Sequence, residues 1–111
     1  MENKKIVDEL YFCAAQCVRC YDACLIEKEK DKLKQCMTFD KDCEDICRLT
    51  GQVLERNSEN GGLFLKLCAE MCERCAAECE KHAHMEHCKK CAEVCRKCAE
   101  MCLQQESVKT V

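Results

Sequence analysis

The chain has 111 residues, with Lys+Arg 18 against Asp+Glu 21, so it carries no basic excess for nucleic acid, and Phe 3 with Tyr 2 is too few aromatics for a base-stacking platform. Hydrophobic residues make up 48%, but Cys supplies 16 of them, and Leu, Ile, Val and Phe number only 21, about 19%; the net charge of -3 nevertheless favours a collapsed chain. Pro 0, Gly 3 and Trp 0 exclude a turn-rich all-β fold or a collagen-like chain, and no stretch approaches the roughly 18 apolar residues of a membrane span.

The first predicted element runs over about residues 4–29. Cys13, Cys17, Cys20 and Cys24 are spaced 4, 3, 4, and at about 100° per residue such steps keep four side chains within an arc of about 60° on one helix face. Ile6 and Leu10 continue this stripe toward the helix start, and Glu27 continues it beyond Cys24. The second element, about 32–56 with Asp31 as its expected N-cap, carries a degenerate copy in Cys36, Asp40, Cys43 and Cys47, followed by Leu54. Residues 57–62, Asn-Ser-Glu-Asn-Gly-Gly, are the clearest loop. The third element, about 62–81, places Phe64 and Leu65 ahead of Cys68, Cys72, Cys75 and Cys79. A turn within Lys81 to His87 leads to the fourth, about 85–106, where Cys88 precedes Cys91, Cys95, Cys98 and Cys102 and Gln105 follows. Opposite the stripes lie residues such as Glu70, Glu73, Arg74 and Glu78, the amphipathic pattern of bundle helices.

Short connections make successive helices antiparallel neighbours. The expected fold is therefore all-α, an antiparallel up-down four-helix bundle with a cysteine-lined core, as one domain over 1–111. One end gathers Ile6, Leu10, Leu54, Phe64 and Leu65 into a hydrocarbon plug, to which the fourth helix adds only polar Gln105. The other end gathers Glu27, Leu33, Met85, Cys88 and all 3 His of the chain, His82, His84 and His87. A single His in a polar turn is ordinarily solvated filler. Three beside a thiol core, with Met85, are instead expected to form an entrance with soft or borderline ligands that hand metal inward. Asp40 reads either as a surface residue on a slightly rotated helix or as a buried group that hydrogen-bonds thiols or binds an ion. Met71 and Met101 flank the stripes at packing positions.

Residues 1–9 hold two lysines but no following apolar stretch and do not resemble an export signal, so the expected compartment is the cytoplasm, where thiols stay reduced. Sixteen reduced thiols then point to metal rather than disulfides. Thiolates select Cu(I), Zn or Fe–S clusters. Zinc sites take C-x2-C from turns that bend two sulfurs toward one centre, whereas here such pairs lie inside continuous helical stripes. Neighbours at i and i+4 have Cβ atoms about 5–6 Å apart, beyond the usual disulfide span of about 3.5–4.5 Å and suited to near-linear S–metal–S coordination. Charge points the same way. Monovalent ions at about one per cysteine leave the core roughly neutral, whereas four Zn²⁺ among sixteen thiolates would leave about eight negative charges inside.

The four striped helices, the Cys36-x3-Asp40-x2-Cys43-x3-Cys47 copy and the turn Lys81-His82-Ala83-His84-Met85-Glu86-His87-Cys88 resemble the cytosolic type of bacterial copper storage proteins over about residues 8–103. That resemblance implies a four-helix bundle holding many Cu(I) ions, assembled as a homotetramer and filled through the His-bearing mouth. The inward ligands it implies are Cys13, Cys17, Cys20, Cys24, Cys36, Cys43, Cys47, Cys68, Cys72, Cys75, Cys79, Cys88, Cys91, Cys95, Cys98 and Cys102. Exported relatives carry a twin-arginine leader; the three-His mouth and Asp40 look like the cytosolic branch. The leading expectation is storage and detoxification of Cu(I), roughly one ion per Cys. No nucleophile–base constellation points to turnover. The alternative is an Fe–S or zinc thiolate redox protein.

Overall fold

A computed structural model describes residues 3–110, so residues 1, 2 and 111 of the expected 1–111 domain lie outside the described residues. Four helices are present: α1 (Lys4–Leu25), α2 (Lys34–Glu55), α3 (Gly61–Glu80) and α4 (Glu86–Thr110). Each packs against its two neighbours round a ring, and among the described residues no helix backbone approaches the one diagonally across. The result is a rod of 47 × 19 × 18 Å. Its core is thiol along the axis, with all sixteen cysteines fully buried. A buried cysteine behaves as a small hydrophobe, which is how so few Leu, Ile, Val and Phe suffice.

The helix ends come from local chemistry. None of α1, α2 or α3 has a side-chain cap at its start, so packing of the apolar stripe, rather than capping, holds them. α1 stops at Leu25, not 29, because the run Glu27-Lys28-Glu29-Lys30 offers nothing to bury. The chain then makes a 3-10 turn over Lys30–Leu33 that carries Leu33 into the core. Asp31 lies inside that turn, so the residue before α2 is Leu33 and the expected Asp31 cap does not form. α2 ends in a Schellman arrangement: Asn57 N–H donates to Leu54 O at 3.0 Å and Ser58 N–H to Val53 O at 3.2 Å, with Asn57 left-handed at φ 52°. Asn tolerates that conformation. The turn therefore closes before the two glycines, which begin α3 instead.

At the apolar end Ile6, Leu10, Leu54 and Leu65 are buried, with Phe64 half-buried. Above them lies a polar latch. Asn3 is buried, and its amide donates to Leu54 O at 3.0 Å and to Asn57 Oδ1 at 3.3 Å, while Gln105 Nε2 donates to Asn3 Oδ1 at 3.3 Å. The lone polar residue of the plug thus joins α4 to the start of α1 and the end of α2. Gly51 in α2 gives room for Tyr11, since a Cβ there would lie 2.5 Å from the ring. Tyr11 Oη crosses to donate to Glu55.

Because this end carries most of the hydrocarbon, Leu10→Ala is expected to lower the stability of the metal-free protein by about 2–5 kcal/mol in denaturant unfolding. A loss below about 1 kcal/mol would mean that the plug does not anchor the bundle.

Candidate metal centre

The thiol stripes of all four helices converge into one column. Between α2 and α3, Sγ–Sγ distances are 3.6 Å for Cys36–Cys79 and Cys47–Cys72, and 3.7 Å for Cys43–Cys72 and Cys47–Cys68. Between α1 and α4 they are 3.8 Å for Cys13–Cys95, 3.9 Å for Cys17–Cys95 and 4.0 Å for Cys20–Cys88. Cys43 and Cys95, on diagonal helices, meet at 4.0 Å across the axis. These are packing contacts, far outside the 2.03–2.05 Å of a disulfide, and every cysteine is free.

The sulfurs fall into overlapping groups of four whose ligand atoms lie within 4.8 Å of one another. Cys13, Cys43, Cys47 and Cys72 share two members with Cys13, Cys17, Cys43 and Cys95; Cys17 and Cys95 recur with Cys75 and Cys91. Cys91 recurs with Cys20, Asp40 and Cys79, and Cys20 again with Cys24, His87 and Cys88. Each group hands a sulfur to the next, from the apolar end to the histidine turn. Such sharing suits bridging thiolates around small soft ions better than closed tetrahedral sites with four private ligands.

Hydrogen bonds among the thiols set their protonation in opposite directions: they push Cys95 and Cys102 up, with burial adding to both, and pull Cys13 and Cys68 down against burial. Asp40 is fully buried, which settles its two readings in favour of the interior. Its Oδ1 accepts from Cys75 and Cys91 at 3.4 Å and from Cys79 at 3.7 Å, while Oδ2 has no partner. Burial, the largest cause, pushes its carboxyl up to about 9, so it is neutral at pH 7.

The histidine turn does not act as one unit. His87 faces inward, with Nδ1 3.5 Å from Cys88 Sγ, 3.7 Å from Cys20 and 4.0 Å from Cys24. His82 is half-buried and pairs through Nε2 with Glu78 Oε2 at 3.4 Å. His84 is exposed. Met85 packs on the thiol core, as Met71 and Met101 do farther along. Outside them opens a cleft of about 630 Å³, lined by Glu27, Leu33, His82, His84 and Met85 among others. Glu78 was legible only as a surface residue, yet it is buried, with its carboxylate shared between Lys81 and His82.

A four-helix bundle with a continuous thiol axis and an imidazole at one mouth defines a helical host for soft metal ions. The chain belongs to the copper storage protein family, whose model matches residues 1–107. It is similar to the copper storage protein Ccsp from Streptomyces lividans loaded with 10 copper equivalents, with 38% identity, coverage of 93% of this chain and 82% of that one, and a TM-score of 0.90; a copper storage protein of that organism is described as cytosolic. The Cu(I)-bound copper storage protein BsCsp3 superposes with a TM-score of 0.89 at 33% identity, over 94% of this chain and 97% of its own. The uncharacterized cysteine-rich protein YhjQ of Bacillus subtilis (strain 168) is 39% identical over 76 residues, 68% of this chain and 69% of its own.

Because folding lifts the Asp40 carboxyl from its ordinary 3.8 to about 9, the folded state holds a proton that the unfolded chain releases. Stability of the reduced metal-free protein is therefore expected to fall as pH rises from about 4 toward 9, by at most ~1.4 kcal/mol per pH unit from this group. Asp40→Asn should remove that slope in urea unfolding at a series of pH values. An unchanged slope would show that Asp40 is ionised in the folded protein.

Proposed function

We propose that this protein stores Cu(I) as thiolate-bound ions along the bundle axis, at roughly one ion per cysteine, and thereby limits free copper. The observation that carries the reading is the unbroken succession of sulfur-sharing groups. A sulfur that belongs to two groups can bridge two ions, so sixteen thiols can hold about sixteen ions without a separate set of ligands for each. Charge supports the same cargo. Each Cu(I) that displaces one thiol proton leaves the interior as neutral as before, whereas a divalent ion held by four thiolates adds buried negative charge. The Cu(I)-bound and ten-copper relatives are consistent with this cargo.

In this reading ions enter at the mouth formed by His82, His84, His87 and Met85. His87 gives the first inward step, since its ring bonds Glu27, which lines the cleft, and faces the group of Cys20, Cys24 and Cys88. Ions then pass from group to group, with Asp40 lying beside Cys79 and Cys91 on the route. All sixteen cysteines serve as ligands, and no turnover chemistry is involved. The protein works in the cytoplasm, where sixteen unbridged thiols stay reduced. It assembles as a homotetramer, a state supported by large apolar side chains left on the outside of one bundle, among them Leu63 at 69% exposure and Leu67 at 52%.

Anaerobic titration of the reduced protein with Cu(I) against a strong competing chelator tests the capacity. Saturation is expected at about 16 ions per chain or slightly more. Saturation near four would contradict bridging storage and favour isolated tetrahedral sites.

A further inference from the structure

The imidazole that faces the thiol column is held from outside the column. His87 Nε2 lies 3.0 Å from Glu27 Oε2, while Nδ1 points at three sulfurs. A neutral imidazole has one N–H and one lone pair, and an ionised carboxylate can only accept. The proton is therefore assigned to Nε2, which donates to Glu27, and the lone pair to Nδ1, which faces Cys20, Cys24 and Cys88. A ligating His whose far nitrogen donates to a carboxylate has its tautomer and ring orientation set together.

We propose that Glu27 is the positioning residue of the metal mouth: it presents the His87 Nδ1 lone pair to incoming Cu(I) without itself binding the ion. The proposal rests on the reading above in which copper enters at this end. Glu27 meets His87 because of how α1 ends. The helix stops at Leu25, and the turn that follows, with Ile26 N–H bonded to Ala23 O and Glu27 N–H to Cys24 O, brings Glu27 over the start of α4, 60 residues away in sequence. Ile26, 87% exposed, points away and buries nothing. The sequence thus interrupts the helix where continued burial has nothing to gain and gains a cross-bundle bond to the one histidine that touches the sulfurs.

The neighbouring histidines lack this arrangement. His82 pairs with Glu78 of its own turn, an i,i+4 contact, and that carboxylate is shared with Lys81. His84 is exposed. The Glu27–His87 bond lies at the boundary between cleft and core, with side-chain exposures of 37% and 19%. Without it, the imidazole could turn about its Cβ–Cγ bond and exchange the nitrogen it offers.

Stopped-flow transfer of one equivalent of Cu(I) from a chromogenic chelator complex to the reduced metal-free protein, under anaerobic conditions, tests the role. Glu27→Ala is expected to slow uptake about ten-fold. Glu27→Gln, whose amide oxygen can still accept from Nε2, should stay within about three-fold of the unaltered chain. His87→Ala should slow uptake at least as much as Glu27→Ala, and the double variant Glu27→Ala/His87→Ala should be no slower than His87→Ala alone. Circular dichroism of each variant checks that the bundle is intact. Further slowing in the double variant would overturn the proposal, because Glu27 would then act on the ion directly or by its charge; so would a normal rate in Glu27→Ala while His87→Ala is slow. A normal rate in His87→Ala would instead overturn uptake through His87 itself.

Discussion

The structure depends on sulfur packed against sulfur along the bundle axis. A cysteine adds one heavy atom beyond Cβ, so four helices can close round a column only one or two sulfurs wide and still bury it completely. Thiols pack there as modest hydrophobes when protonated, and they become ligands when they lose the proton. The helix ring without diagonal backbone contacts follows from this, because the space across the axis is the width of facing thiols, as in Cys43 and Cys95 at 4.0 Å. The two ends differ because sulfur alone closes neither. One is closed with leucine under the Asn3 latch; the other is left to a histidine, a carboxylate and a cleft.

The same constraint shapes the chemistry. In the proposed mode of storage, copper loading exchanges one proton for one monovalent ion at each thiol, so the interior fills without accumulating charge. Asp40 is compatible with that economy only because it is neutral in the metal-free core, where it accepts from three thiols. Membership of the copper storage protein family accords with an interior whose groups overlap rather than stand apart.

Much of this was legible in the sequence, because a repeat of 4, 3, 4 in one residue type maps directly onto a helix face. The four helices, their cysteine stripes and the clustering of histidines at one end all followed from spacing. What spacing does not carry is what happens where helices stop. The break after Leu25 depends on the lack of anything for residues 26–30 to bury. The Schellman turn at Asn57 needed a left-handed Asn, although the adjacent glycines were the more obvious signal. Asn3 is a polar residue at helical spacing before Ile6 and Leu10, and Glu78 is a charged residue flanking the α3 cysteines; their burial arises from partners distant in the chain or in the next turn. The separate fates of His82, His84 and His87 likewise turn on which carboxylate each one meets, information that one-dimensional spacing does not contain.

The central claim is that the thiol column is a packed core before any metal arrives. Far-UV circular dichroism of the reduced, metal-free protein, followed through an anaerobic Cu(I) titration, tests it directly. High helicity at zero copper that changes little up to saturation is the expected result. Low helicity that rises steeply with the first ions would contradict it, since the bundle would then be folded by the metal rather than built to receive it.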